Sequence, residues 1–159
     1  MAENDLLTQR LAVSLPSWDE IPDLDLYMDQ VLSLLKRYLG SIQQSDEKGI
    51  TSSMINNYVK QQVMPAPAKK RYTREHIVYL IMIYILKSAL TMVQIRTLFG
   101  QELSVKSLRE LYTAFCDQYS KTAEEASARY GDTVSDPLTV STNAAIRAYI
   151  EQSVSASLV

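Results

Sequence analysis

Two neighbouring stretches carry most of the chain's candidate recognition groups, polar and basic. Residues 51–62 read TSSMINNYVKQQ and residues 65–76 read PAPAKKRYTREH. Between Glu47 and Glu75 lie six bases (Lys48, Lys60, Lys69, Lys70, Arg71 and Arg74) and no acid. The chemistry on offer is recognition of a polyanion. Lysine and arginine neutralise phosphate, and asparagine can bond bidentately to adenine and lysine to guanine. On a helix over 52–62, Met54, Ile55, Tyr58 and Val59 fall on one side, and Ser53, Asn56, Asn57, Lys60 and Gln61 on the other. An apolar back and a polar front suit such a helix to a major groove. Ser52 and Ser53, with the free N–H groups of its first turn, could bond phosphate. Lys69, Lys70 and Arg71 could grip the flanking backbone. Tyr72 could place its hydroxyl on a phosphate or pack under the loop, and Arg74 closes the strip. Taken singly, each is an ordinary surface residue. Their spacing carries the expectation of a two-point clamp on double-stranded DNA.

The residues of covalent catalysis are missing. His76 is the single histidine, and its place in a helix's first turn points to capping or packing. Cys116 is the single cysteine. It excludes an internal disulfide and a thiolate zinc site made from this chain alone, and a packed thiol is the default. No glycine-rich phosphate loop occurs, because the four glycines are isolated. The expectation is a protein that is not an enzyme, with no metal and no cofactor.

These residues need elements to hold them. The chain has 159 residues, 47% of them hydrophobic, with four glycines and five prolines. That length buries a sizeable core, and the scarcity of turn formers favours an all-α fold. Charge is uneven: residues 1–50 carry −5, residues 51–110 carry +6, and residues 111–159 carry −3. The longest apolar run, IVYLIMIYIL, is too short to span a bilayer. With no apolar signal core at the N-terminus, a cytoplasmic setting away from membranes is expected.

The punctuation predicts helices at 23–40, 52–62, 74–89, 92–99, 104–130 and 137–154, behind an N-terminal arm over 1–22 anchored by Trp18. Gly40 and Gly100 are expected to end the first and fourth of these, Gly40 by a left-handed conformation. Leu24, Tyr27, Met28, Val31, Leu34, Leu35 and Tyr38 form the first helix's apolar stripe. Thr51 or Ser52 and then Thr73 and Thr91 read as N-caps. Pro65 and Pro67 make the linker extended. Val105, Leu108, Tyr112, Phe115 and Tyr119 form a heptad seam. It is expected to pair with Leu138, Ala145, Ile146, Tyr149 and Ile150 of the last helix, in preference to another subunit.

Residues 49–99 resemble the winged-helix DNA-binding domain of MerR-type regulators. Gly49, Ile50, Thr51, Tyr58, Val63, Met64 and Pro65 match that pattern around its recognition helix. Lys70, Tyr72, Thr73 and Glu75 match its wing and the helix after it. The pattern usually has a glycine where this chain has Gln62. Residues 15–130, including LPSWDEIPDLDLYMDQV, are also similar to the uncharacterised family called domain of unknown function 1836. The resemblance implies a MerR-like winged helix-turn-helix module over 23–103 with additional C-terminal helices over 104–159. It implies a DNA-binding transcription regulator, dimerising through those helices. A non-catalytic protein–protein interaction module is the alternative. A third reading is a small-molecule pocket lined by Tyr112, Phe115, Tyr119 and Tyr149.

Overall fold

In the computed structural model of the chain, residues 9–43, 48–130 and 137–159 are described. Among the described residues a 3-10 turn at Trp18–Glu20 precedes six helices: α1 (Met28–Leu39), α2 (Ser52–Lys60), α3 (Arg74–Leu86), α4 (Met92–Leu103), α5 (Leu108–Tyr130) and α6 (Pro137–Ser157). Among the described residues there is no strand, only two isolated antiparallel bridges, Leu26 to Tyr72 and Ala68 to Arg71. The fold is all-α, and none of the described helices is long and apolar enough to cross a membrane.

Helix α3 is the core because it is apolar on every side. Ile77, Val78, Leu80, Ile81, Met82, Ile83 and Tyr84 are all buried. Around it α1 buries Val31, Leu35 and Leu39, α2 buries Ile55 and Tyr58, and α4 buries Ile95 and Phe99. Tyr79 of α3 meets Phe99 edge to face, with ring centroids 5.5 Å apart. The caps expected at Thr51, Thr73 and Thr91 stand at the N-termini of α2, α3 and α4.

The segment ahead of α1 is built into this core. Ile21 is completely buried and Leu15 nearly so. The segment is fastened to two helices, α5 and α3. Tyr112 Oη of α5 donates to the Pro16 carbonyl at 2.7 Å. Arg74 Nε of α3 donates to the Ile21 carbonyl at 2.9 Å, its guanidinium 5.8 Å from the Trp18 ring. Arg109 pairs with Asp19 at 2.8 Å on the surface.

Several boundaries differ from those the sequence predicts. Helix α1 starts at Met28, not Asp23, because the Leu26 backbone is committed to the bridge with Tyr72. Leu24 and Tyr27 are therefore exposed and leave the apolar stripe. Gly40 is right-handed, with φ −58°; a Cβ there would stand 2.6 Å from the Lys36 carbonyl oxygen, so the glycine supplies room and not handedness. Helix α4 runs through Gly100 to Leu103. Helix α5 opens at Ser107, not Ser104. Glu110 Oε2 accepts from Ser107 N at 2.7 Å and Ser107 Oγ accepts from Glu110 N at 3.2 Å, a capping box in SLRE. That exchange holds the exposed Glu110 carboxyl below its ordinary pKa.

The expected pairing of the last two helices does not cover α6. Tyr112 of the seam is buried under the N-terminal segment and α3, and Val105 stands in solvent. On and just beyond α6, Leu138, Ile146, Tyr149, Ile150, Val154 and Leu158 are exposed. Its C-terminal end touches the body through Gln94 Nε2 to Ala156 O and Gln152 Nε2 to Ala89 O, both 3.2 Å. Tyr112, named with Tyr149 as lining a small-molecule pocket, is completely buried, whereas Tyr149 is exposed and lines a groove along α6 that Tyr112 does not border.

Tyr112→Phe should lower stability by about 1–2 kcal/mol in denaturant unfolding, because the buried Pro16 carbonyl loses its 2.7 Å donor and keeps only the weak Cys116 thiol at 3.8 Å. Burial raises the Tyr112 and Tyr58 phenols above their ordinary pKa. The stability they contribute is present below about pH 10 and lost as pH rises beyond it. Melting followed by tyrosinate absorbance should show that alkaline loss. Gly100→Ala, with nothing within 4 Å of the added Cβ, should raise stability by about 0.5–1 kcal/mol.

Candidate nucleic-acid interface

Helix α2 presents the two faces its sequence predicts. Thr51 Oγ1 accepts from Met54 N at 3.3 Å and opens the helix. Ile55 and Tyr58 point inward and are buried, Met54 and Val59 are half-buried, and Ser52, Ser53, Asn56, Asn57 and Lys60 are exposed. The helix closes by a Schellman motif: Val63 N–H bonds the Tyr58 carbonyl and Gln62 N–H the Val59 carbonyl, both at 3.0 Å. Gln62 takes φ 59° there. It adopts the left-handed conformation that a glycine adopts at lower cost, at the position where the resembling pattern has one.

Past the two prolines the chain reverses tightly. Arg71 N–H bonds the Ala68 carbonyl at 2.9 Å, and the two residues between, Lys69 and Lys70, have φ 51° and 60°. Positive φ at both central positions is the signature of a type I′ turn, whose preferred residues are Asn and Gly. Two lysines occupy it, both exposed. One residue on, Leu26 and Tyr72 exchange both backbone hydrogen bonds at 2.8 Å, which fixes the turn to the start of α1.

Below the turn lies a buried support. Tyr72 is buried and meets His76 edge to face, with ring centroids 5.5 Å apart. Thr73 N–H donates to His76 Nδ1 at 3.0 Å, so His76 does the work of the usual Glu or Gln in the capping box of α3. Because Nδ1 accepts, the neutral ring carries its proton on the buried Nε2, which has no partner among the described residues. Burial raises the Tyr72 phenol above its ordinary pKa.

Helix and turn meet in one groove of about 700 Å³. Ser52 and Asn56 line it from α2, Lys70 from the turn with Pro67 and Tyr72 beside it, Tyr27 from just ahead of α1, and Met28, Asp29 and Leu32 from α1. Ser53, Asn57 and Lys60 are exposed on α2 outside this lining, and Lys69 stands at the tip of the turn. Arg71 is half-buried with its guanidinium 4.1 Å from the centre of the Tyr27 ring. Arg74 faces the other way, bonded to Ile21. Of the two roles open to Tyr72, its burial favours packing.

Two groove residues escape sequence reasoning. Tyr27 looks like part of an apolar helical stripe, yet it precedes α1, is 49% exposed and stacks on Arg71. Asp29 sets an acid against Lys70 across the groove. Only the bridge to Tyr72 brings both residues here, and no periodicity announces a backbone pair so far apart in sequence. With one base and one acid in the lining, the groove can take up a partner that offers both anionic and hydrogen-bonding groups.

The family described as Domain of unknown function (DUF1836) matches residues 16–119. No curated protein and no solved structure matches the chain. The likeness to MerR-type regulators rests on the quoted residues alone.

Gln62→Gly should stabilise the protein by about 1 kcal/mol, and Lys69→Asn with Lys70→Gly should add a similar amount, since each relieves left-handed strain. Melting temperature should rise by about 2–4 °C for each kcal/mol gained, read by circular dichroism.

Proposed function

This chain belongs to the DUF1836 family, and from that premise we propose that it is a sequence-specific DNA-binding regulator with a MerR-like winged helix-turn-helix module. The observation that carries the reading is the turn. Two lysines sit at left-handed positions that suit Asn and Gly, and the turn shares a groove with Ser52 and Asn56. Strain retained where a neutral sequence would relax it argues for the charge itself.

In this reading α2 enters the major groove. Asn56 and Asn57 bond adenine edges, Lys60 takes a guanine or a phosphate, and Ser52 and Ser53 hold phosphate at the helix start. The turn acts as the wing, with Lys69, Lys70 and Arg71 on flanking phosphates and Tyr27 keeping Arg71 extended. Tyr72 and Arg74 support the wing from behind. Residues 23–103 form this module, and the N-terminal residues brace it. The exposed apolar face of α6 pairs with a second copy, giving a homodimer. The protein works in the cytoplasm without catalysis or cofactor.

An interaction module that keeps this fold without DNA is the competing reading, favoured by the same exposed face of α6. Salt separates the two. The DNA reading expects log K for duplex to fall with log salt at a slope of roughly −3 to −5 per protomer. No measurable duplex binding at low salt would leave the interaction module standing. Reversing the charge of Lys69, Lys70 and Arg71 should weaken all duplexes alike. Asn56→Ala should instead cost about 1–3 kcal/mol on one preferred sequence, read by selection from a random duplex pool. Ile150→Glu should shift a sedimenting dimer to monomer without unfolding it; an unchanged dimer would move the interface elsewhere.

A further inference from the structure

Between the C-terminal end of α2, the linker after it and α4 lies a second groove of about 660 Å³, within the range of about 300–1,000 Å³ that small-molecule sites occupy. We propose that it binds a small carboxylate with an apolar body, a ligand the DNA reading does not require. The walls are apolar: Val59, Val63, Met64, Phe99 and Leu103. Arg96 is the single charged residue in the lining. It is exposed, and its side chain makes no ion pair or hydrogen bond with any described residue. A planar guanidinium over apolar walls selects an anion that can accept two parallel N–H bonds while burying a hydrocarbon tail.

A second, independent feature points the same way. Gly100 lies one turn beyond Arg96 on α4, lines the same groove and has open space where its side chain would stand. Helix interiors disfavour glycine. Here its absent side chain leaves room beside the one cation. The opposite wall is the linker from α2 to the turn, with Met64, Pro65 and Ala66 in the lining. A ligand seated there presses on the segment that sets the distance between α2 and the wing, and so couples to duplex affinity.

Calorimetric titration of the full chain with decanoate, below its micelle concentration, tests the site without DNA. Saturable binding of one decanoate per chain is expected. Decanol and acetate should bind far more weakly, since each lacks one half of the recognised chemistry. Arg96→Gln should weaken decanoate about tenfold. Gly100→Leu should abolish binding in a chain whose thermal melt shows it folded. Equal binding of decanol, an unchanged affinity in Arg96→Gln, or no saturable binding would each overturn the site. Decanoate should then change duplex affinity severalfold, and an unchanged affinity would overturn the coupling. That last arm rests on the DNA reading. Titration of the protein alone does not, so the two failures are distinguishable.

Discussion

One backbone pair organises the charged half of this molecule. Leu26 and Tyr72 exchange two 2.8 Å hydrogen bonds across 46 residues of sequence, since 72 and 26 differ by that number. The exchange stops α1 from starting earlier, because Leu26 must stay extended. It seats the Tyr72 ring in the core, against His76, and so places Thr73 to open α3. On the outer side it holds Arg71 over Tyr27 and points the Ala68–Arg71 turn toward α2. Without the pair, the turn would hang on two prolines and a flexible run of cations. With it, a loop becomes part of a surface.

The other end of that surface is held by the Schellman close of α2. Val63 is drawn into the core by its bond to the Tyr58 carbonyl, and Gln62 accepts a left-handed backbone as a result. Left-handed residues without glycine thus stand at both ends of the linker over 63–68. Both ends are fixed by hydrogen bonds and burial elsewhere, which is the condition under which strain persists. The N-terminal segment adds a third constraint, since Arg74 is drawn to Ile21 and leaves the cationic strip to do this.

Much of this was legible in the sequence, and the reasons are local. The inner and outer faces of α2 follow from helical periodicity, and the burial of α3 from a run of apolar residues with Thr73 ahead of it. Thr51, Thr73 and Thr91 announce helix starts because a cap is a short-range bond. What stayed hidden depends on distant partners. Asp23 through Tyr27 reads as a helix start until Leu26 is claimed by Tyr72. Arg74 reads as one more free cation until Ile21 folds back beside it. Gly100 reads as a stop because glycine usually is one, yet here α4 continues and leaves an open wall. The apolar residues of α6 read as half of an internal pair, although the N-terminal segment already covers Tyr112. In the groove, Ser52, Asn56 and Lys70 were within reach of pattern reasoning, and Tyr27 and Asp29 were not.

The left-handed lysines bear on how this loop can change by mutation. Asparagine, which fits such a backbone more comfortably, lies a single base change from either lysine codon. A more relaxed loop is therefore always within one step of the present one. A chain that keeps Lys69 and Lys70 has declined a nearby gain in stability, which makes the tip of this turn a place to look for selection on charge against selection on folding.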